Sequence, residues 1–225
     1  MNFARPTALT RLWPFLALLF AVWVVRLMLL PVSDLASDDV PTARLVAEVW
    51  RLAVWLALPL AWLTFVERID PRHAIDQRPG ANLLLAWGAA AAAVFIVRAI
   101  EVWLGGAWIA IPPVSGAGLF VGSIGLLFAA LCEEFVFRGL VLKALRLRMT
   151  FWKANALTAA LYAAILVPGW LALGDAEPAV IADLALSVFL FAGLSGWLVR
   201  QSGTISVAVL VHFLCDLLQG FGFPS

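Results

Sequence analysis

Glu133 and Glu134 stand side by side at the end of an uncharged run, Gly118 to Cys132, and Arg138 follows Glu134 by four residues. Further along, His212 and Asp216 are again four residues apart, inside a second apolar stretch. A charge at the centre of a bilayer helix costs roughly 2.5–3.5 kcal/mol on insertion scales. Ionisable groups in such segments are therefore expected to serve a site and to have partners. Residues four apart share a helix face, which pairs Arg138 with Glu134 and Asp216 with His212. If the His212 face meets the Glu133 face, a water can be held between a carboxylate base and an imidazole oriented by a second carboxylate. That arrangement suits general acid–base hydrolysis. The same residue types also neutralise one another or join helices in a bundle, so residue type alone leaves both readings open.

The elements that must position these groups are membrane spans. The chain has 225 residues, of which 64% are hydrophobic and 13% charged, and its mean hydropathy is +1.01. Ordinary soluble domains are about 45–50% apolar and about 25% charged. Apolar runs long enough to cross a bilayer follow one another at about 12–31, 45–66, 82–100, 117–138, 153–173, 179–199 and 203–220. The expected fold is all-α, a polytopic membrane protein of about seven transmembrane helices forming one integral membrane domain over residues 1–225. The alternating ten-residue segments of a β-barrel are absent. Residues 101–116, broken by Gly105, Gly106, Pro112 and Pro113, read as an interfacial or re-entrant element. The first run is long and contains Arg26, so it is expected to be a retained helix rather than a cleaved signal.

Charge orients the spans. Arg5 and Arg11, then Arg68, Arg72 and Arg78, then Lys143, Arg146, Arg148 and Lys153, and finally Arg200 mark one side. Asp34, Asp38, Asp39, Asp175 and Glu177 mark the other. The positive-inside rule then puts the N-terminus in the cytoplasm, in the style of a bacterial inner membrane, with Glu133 and Glu134 toward the cytoplasmic end of the fourth span. Arg26, Arg51 and Arg98 lie near span ends, where long side chains are expected to snorkel outward. Asp183, early in the sixth span, is expected to be solvated. Tryptophans near span ends, among them Trp13, Trp103 and Trp152, are expected to anchor at the interface. The net charge of +1 gives no footprint for a nucleic-acid partner. The two cysteines, Cys132 and Cys215, fall within spans and suggest neither a disulfide framework nor a zinc knuckle.

The sequence Glu133-Glu134-x-x-x-Arg138-Gly139 resembles the first motif of the CAAX protease and bacteriocin-processing (CPBP, also called ABI) family of intramembrane proteases. His212-Phe213-Leu214-Cys215-Asp216 resembles the family's last motif, His-x-x-x-Asn/Asp. The likeness covers roughly 117–220, which would be a protease-like core. It departs at the middle motif, Phe-x-x-x-His: here Tyr162 stands for the aromatic residue, Pro168 keeps the register, and Leu166 occupies the histidine position. The other histidine, His73, lies in a distant joint.

The resemblance implies a glutamate-dependent endopeptidase acting on a membrane-associated protein or peptide, with no cofactor and no metal. Glu133 would activate water, Glu134 would support it and pair with Arg138, and His212, oriented by Asp216, would stabilise the oxyanion. Leu166 motivates a second reading, a catalytically inactive family member that binds a membrane peptide or protein or serves as an immunity factor. A three-ligand metal site of Glu133, His212 and Asp216, a proton-coupled carrier and a Cys215 thiol peptidase are weaker readings of the same residues. The sequence leaves the substrate and the oligomeric state open.

Overall fold

The computed structural model describes residues 9–29, 49–70, 83–103, 116–172 and 177–220. The described residues are helical, without strands, and fall into seven continuous helices. We name them α1 (Leu12–Leu29), α2 (Val49–Glu67), α3 (Leu83–Trp103), α4 (Gly116–Glu134, with a continuation to Arg146), α5 (Phe151–Ala172), α6 (Pro178–Ser202) and α7 (Ser206–Gly220). Four of them, α1, α2, α5 and α6, are long and apolar enough to cross a membrane among the described residues. A helix satisfies its own backbone hydrogen bonds, which is why it is the element that such apolar runs adopt in lipid. The chain is thus a polytopic helical membrane protein, as the hydropathy pattern predicts.

The boundaries follow the sequence closely, with one informative exception. The fourth span, expected to end at 138, does not end there. The helix passes through a π-helical segment, Phe135–Val141, and closes as Leu142–Arg146. Lys143 and Arg146 are therefore helical, and the joint shrinks to 147–150. At the other edge of the interfacial segment read from sequence, 101–103 extend α3. The rest of that segment, 104–115, lies outside the described residues, as do His73, Asp34, Asp38, Asp39, Asp175, Arg5, Arg72 and Arg78.

The chain forms two compact units, Met1–Asp76 with Phe135–Trp197, and Gln77–Glu134 with Leu198–Ser225. In the first, α1 packs on α5 and on α2, and α5 packs on the π segment and the Leu142–Arg146 turn. An aromatic ladder runs through it. Trp23 meets Trp55 at 5.5 Å between ring centroids, Trp55 meets Phe137 at 5.9 Å, and Phe137 meets Tyr162 edge-on at 4.8 Å. Such tilted and edge-on pairs favour the ring quadrupoles beyond the area they bury. Arg26 departs from the snorkelling expectation. It is buried, its guanidinium 5.1 Å from the Trp23 ring, so a cation–π contact takes the place of water. Trp13, Trp103 and Trp152 are exposed, and so is Asp183.

Two polar devices fix helix ends and crossings in this unit. The Glu67 carboxylate, buried at the end of α2, accepts from the backbone N–H of Thr10 (3.1 Å) and Arg11 (2.7 Å), and from the Thr10 hydroxyl. These are donors at the start of α1 that no helical carbonyl can satisfy, and the negative charge also suits the helix dipole there. Deeper in, Asn155 Nδ2 on α5 donates to Gly193 O on α6 at 2.8 Å. Gly196 makes that crossing possible, because a Cβ there would overlap Asn155 Oδ1. Small residues at a helix crossing let backbones approach, and a side-chain hydrogen bond then joins them.

Replacing Gly196 by alanine is therefore expected to displace the Asn155 amide and destabilise the protein by about 1–3 kcal/mol, as overpacking does. In the Asn155→Ala background the same change should cost clearly less. Equilibrium unfolding in mixed micelles measures both; equal costs in the two backgrounds would contradict the crossing described here.

Candidate active site

The second unit holds both the carboxylate pair and the histidine. Its helix α7 packs against α3 and against α4, and the last turn of α4 carries Glu133 and Glu134. Adjacent helical residues are turned about 100° from each other, so the two glutamates cannot be equivalent. Glu134 is fully buried and meets His212 Nδ1 with Oε1 at 3.1 Å. Glu133 is 16% exposed at its side chain, and its Oε2 lies 3.9 Å from Nε2 of the same ring. Asp216, one turn beyond His212 and 31% exposed at its side chain, brings Oδ2 to 3.4 Å from Nε2.

One imidazole thus faces three carboxylates, Glu134 on its Nδ1 side and Glu133 and Asp216 on its Nε2 side. A neutral ring donates from one nitrogen only. A ring nitrogen and a carboxylate oxygen attract each other when a proton lies between them. Full engagement of both sides therefore needs one further proton, on the ring or on a carboxylate, shared by the group as a whole. An imidazole set among carboxylates, one of them partly exposed, is an arrangement suited to proton exchange with water. Among the described residues no group of three or more His, Cys, Asp or Glu side chains has an arrangement fit for a metal ion.

The sequence reading named Glu133, Glu134, Arg138, His212 and Asp216. Four of these come together in the second unit. Arg138 belongs to the first unit, in the π-helical segment, where it is buried among partners of that unit. Its Nη2 donates to Ala192 O on α6 at 3.1 Å, and its guanidinium lies 5.1 Å from the Tyr162 ring. Leu166, at the position where the resemblance calls for histidine, is half-buried on α5, one turn after the buried Tyr162. Cys132 is buried and Cys215 partly exposed, and both are thiols without a disulfide.

The sequence reads Ser202–Ser206 as a small polar turn ahead of an apolar helix, and hydrogen bonds within it hold the start of α7. Ser206 N–H donates to Thr204 Oγ1 at 3.2 Å, and Ser202 Oγ donates to Thr204 O at 3.1 Å. Gly203, at φ 71°, supplies the left-handed turn between α6 and α7. The available signal was the run Ser202-Gly203-Thr204-Ile205-Ser206, a helix stop followed by capping residues.

The arrangement orders the cost of truncating each partner. His212→Ala leaves the fully buried Glu134 without its imidazole and is expected to lower stability by about 2–3 kcal/mol, the scale of a hydrogen bond to a charged group. Asp216→Ala removes a longer contact at a partly exposed group and should cost under about 1 kcal/mol. Unfolding free energies measured side by side give the ranking, and the reverse order would count against this geometry.

Comparison with known proteins adds a family likeness over this part of the chain. Residues 115–218 match a family model described as type II CAAX prenyl endopeptidase Rce1-like. No curated protein and no solved structure matches the chain. The matched stretch runs from the start of α4 to the end of α7 and takes in every candidate residue. Over residues 115–218, somewhat under half of its length, the chain is similar to the Rce1-like, CPBP-type family of CAAX prenyl endopeptidases.

Proposed function

We propose that the protein is an intramembrane endopeptidase that hydrolyses a peptide bond of a membrane-associated protein or peptide, with Glu133 as the base that activates water. The observation that carries this reading is the unequal environment of the two glutamates. Glu134 is sealed and committed to His212 Nδ1, whereas Glu133 is partly open beside Nε2. Water reaches Glu133 more readily, and the ring that Glu134 orients is within reach of the same space.

In this mechanism Glu133 accepts a proton as the water oxygen attacks the scissile carbonyl carbon. The carbonyl oxygen becomes an oxyanion, and His212 Nε2–H donates to it, a role for which a fixed donor is needed. Glu134 and Asp216 hold the ring in orientation. As the intermediate collapses, the carbon–nitrogen bond breaks and Glu133 gives its proton to the departing amine. Arg138 holds the π-helical segment that follows the carboxylate pair to the backbone of α6 and to Tyr162. The family's description as a prenyl endopeptidase makes a prenylated C-terminal peptide the first substrate class to offer. The charge pattern supports an inner-membrane location with a cytoplasmic N-terminus.

Leu166 favours a second reading, in which the bundle binds a membrane peptide or partner without cutting it. The experiment that separates the two uses full-length protein in lipid nanodiscs and a fluorogenic farnesylated peptide. The peptidase reading predicts turnover by the wild type and a loss of about 100-fold or more in Glu133→Gln, the scale of a missing general base, with folding intact. An inert wild type that gains turnover through Leu166→His would establish the second reading instead.

A further inference from the structure

The sequence assigned no chemistry to α3, yet this helix holds α7 by a specific hydrogen bond. Trp87 Nε1 donates to Ser206 Oγ at 3.1 Å, and Thr204 Oγ1 donates to the same oxygen at 3.1 Å. Ser206 is the first residue of α7. The indole therefore fixes the height of the helix that presents His212. We propose that Trp87 is a positioning residue: through Ser206 it sets the register of α7 and so keeps His212 within reach of Glu134. The inference rests on the peptidase reading for its catalytic meaning, and on the α3–α7 geometry alone for the positioning itself.

The distances make the coupling tight. His212 lies six positions after Ser206, roughly 9 Å along a helix that rises 1.5 Å per residue. A helix of that length moves as a rigid rod, so displacement at Ser206 reaches His212 undiminished. The His212–Glu134 bond is 3.1 Å long, and hydrogen bonding fades beyond about 3.5 Å. A slide of one residue would carry the ring about 1.5 Å along the axis and turn it about 100°, away from Glu134. Trp87 itself is partly exposed, 37%, so removing one N–H from it leaves the packed core of the unit in place.

The chain has two histidines, so full-length protein carrying His73→Gln in nanodiscs reports His212 alone by imidazole nitrogen NMR. Trp87→Phe keeps an aromatic ring and removes the donor, and Ser206→Ala removes the acceptor. Each is expected to shift the Nδ1 resonance in the direction that Glu134→Gln shifts it. The double variant should shift it no further than Ser206→Ala alone, because that change already removes the acceptor of Trp87 Nε1. On the farnesylated peptide, kcat should fall roughly 10- to 100-fold, as misplacement of about 1 Å can cost, with KM within about twofold. A resonance that moves in Glu134→Gln and stays put in both Trp87→Phe and Ser206→Ala overturns the inference. So does one that fails to move in Glu134→Gln, since the contact to be positioned would then be absent. A resonance that moves as expected in a protein without Glu133-dependent turnover upholds the positioning and sinks the peptidase reading alone.

Discussion

Burying Glu134 is the constraint around which the second unit is organised. A carboxyl group with no solvent exposure inside an apolar helix bundle is expensive unless it is hydrogen-bonded, and His212 Nδ1 is its partner at 3.1 Å. That single contact dictates the rest. It requires α7 to lie against the last turn of α4 in one register, and it turns the Nε2 edge of the ring outward. Asp216 follows on the same face, and Glu133, one residue from Glu134, comes to the edge of the cluster. Glu134 is sealed against the ring, and Glu133 is the more open of the two carboxylates.

The first unit solves a related problem with neutral and cationic groups. Arg138 and Asn155 both donate to backbone carbonyls of α6, at Ala192 and Gly193. Side-chain donors that reach backbone acceptors across helices fix position, and Asn155 does so without bringing in a charge. The aromatic ladder from Trp23 to Tyr162 packs the space between, and Arg138 lies against its last ring. The seven-residue π-helical segment that carries Arg138 starts directly after Glu134. Such segments are uncommon; two others, Ala53–Ala57 and Trp62–Glu67, lie in α2.

Much of this was legible in the residues themselves. Hydropathy alone gives seven helices, because each apolar run must satisfy its backbone internally. The four-residue spacing of His212 and Asp216 places them on one face, and the structure brings them to 3.4 Å. Other features were hidden for definite reasons. Consecutive glutamates are indistinguishable in sequence, since which one faces α7 depends on the rotation of α4 about its axis. The continuation of α4 to Arg146 was masked by Lys143 and Arg146, which read as a joint but extend a helix. Asn155, Trp87 and Glu67 gave no signal because their partners, Gly193, Ser206 and the Thr10–Arg11 backbone, lie on other helices. A lone polar residue in an apolar run does not announce whom it meets.

The central claim is that Glu133, beside a histidine held by Glu134, cuts membrane-associated chains. The most direct test compares the termini of membrane proteins in cells producing the wild type with those in cells producing Glu133→Gln at equal abundance. The account predicts a set of new termini that is present with the wild type and missing with Glu133→Gln. New termini that persist undiminished in Glu133→Gln would contradict it.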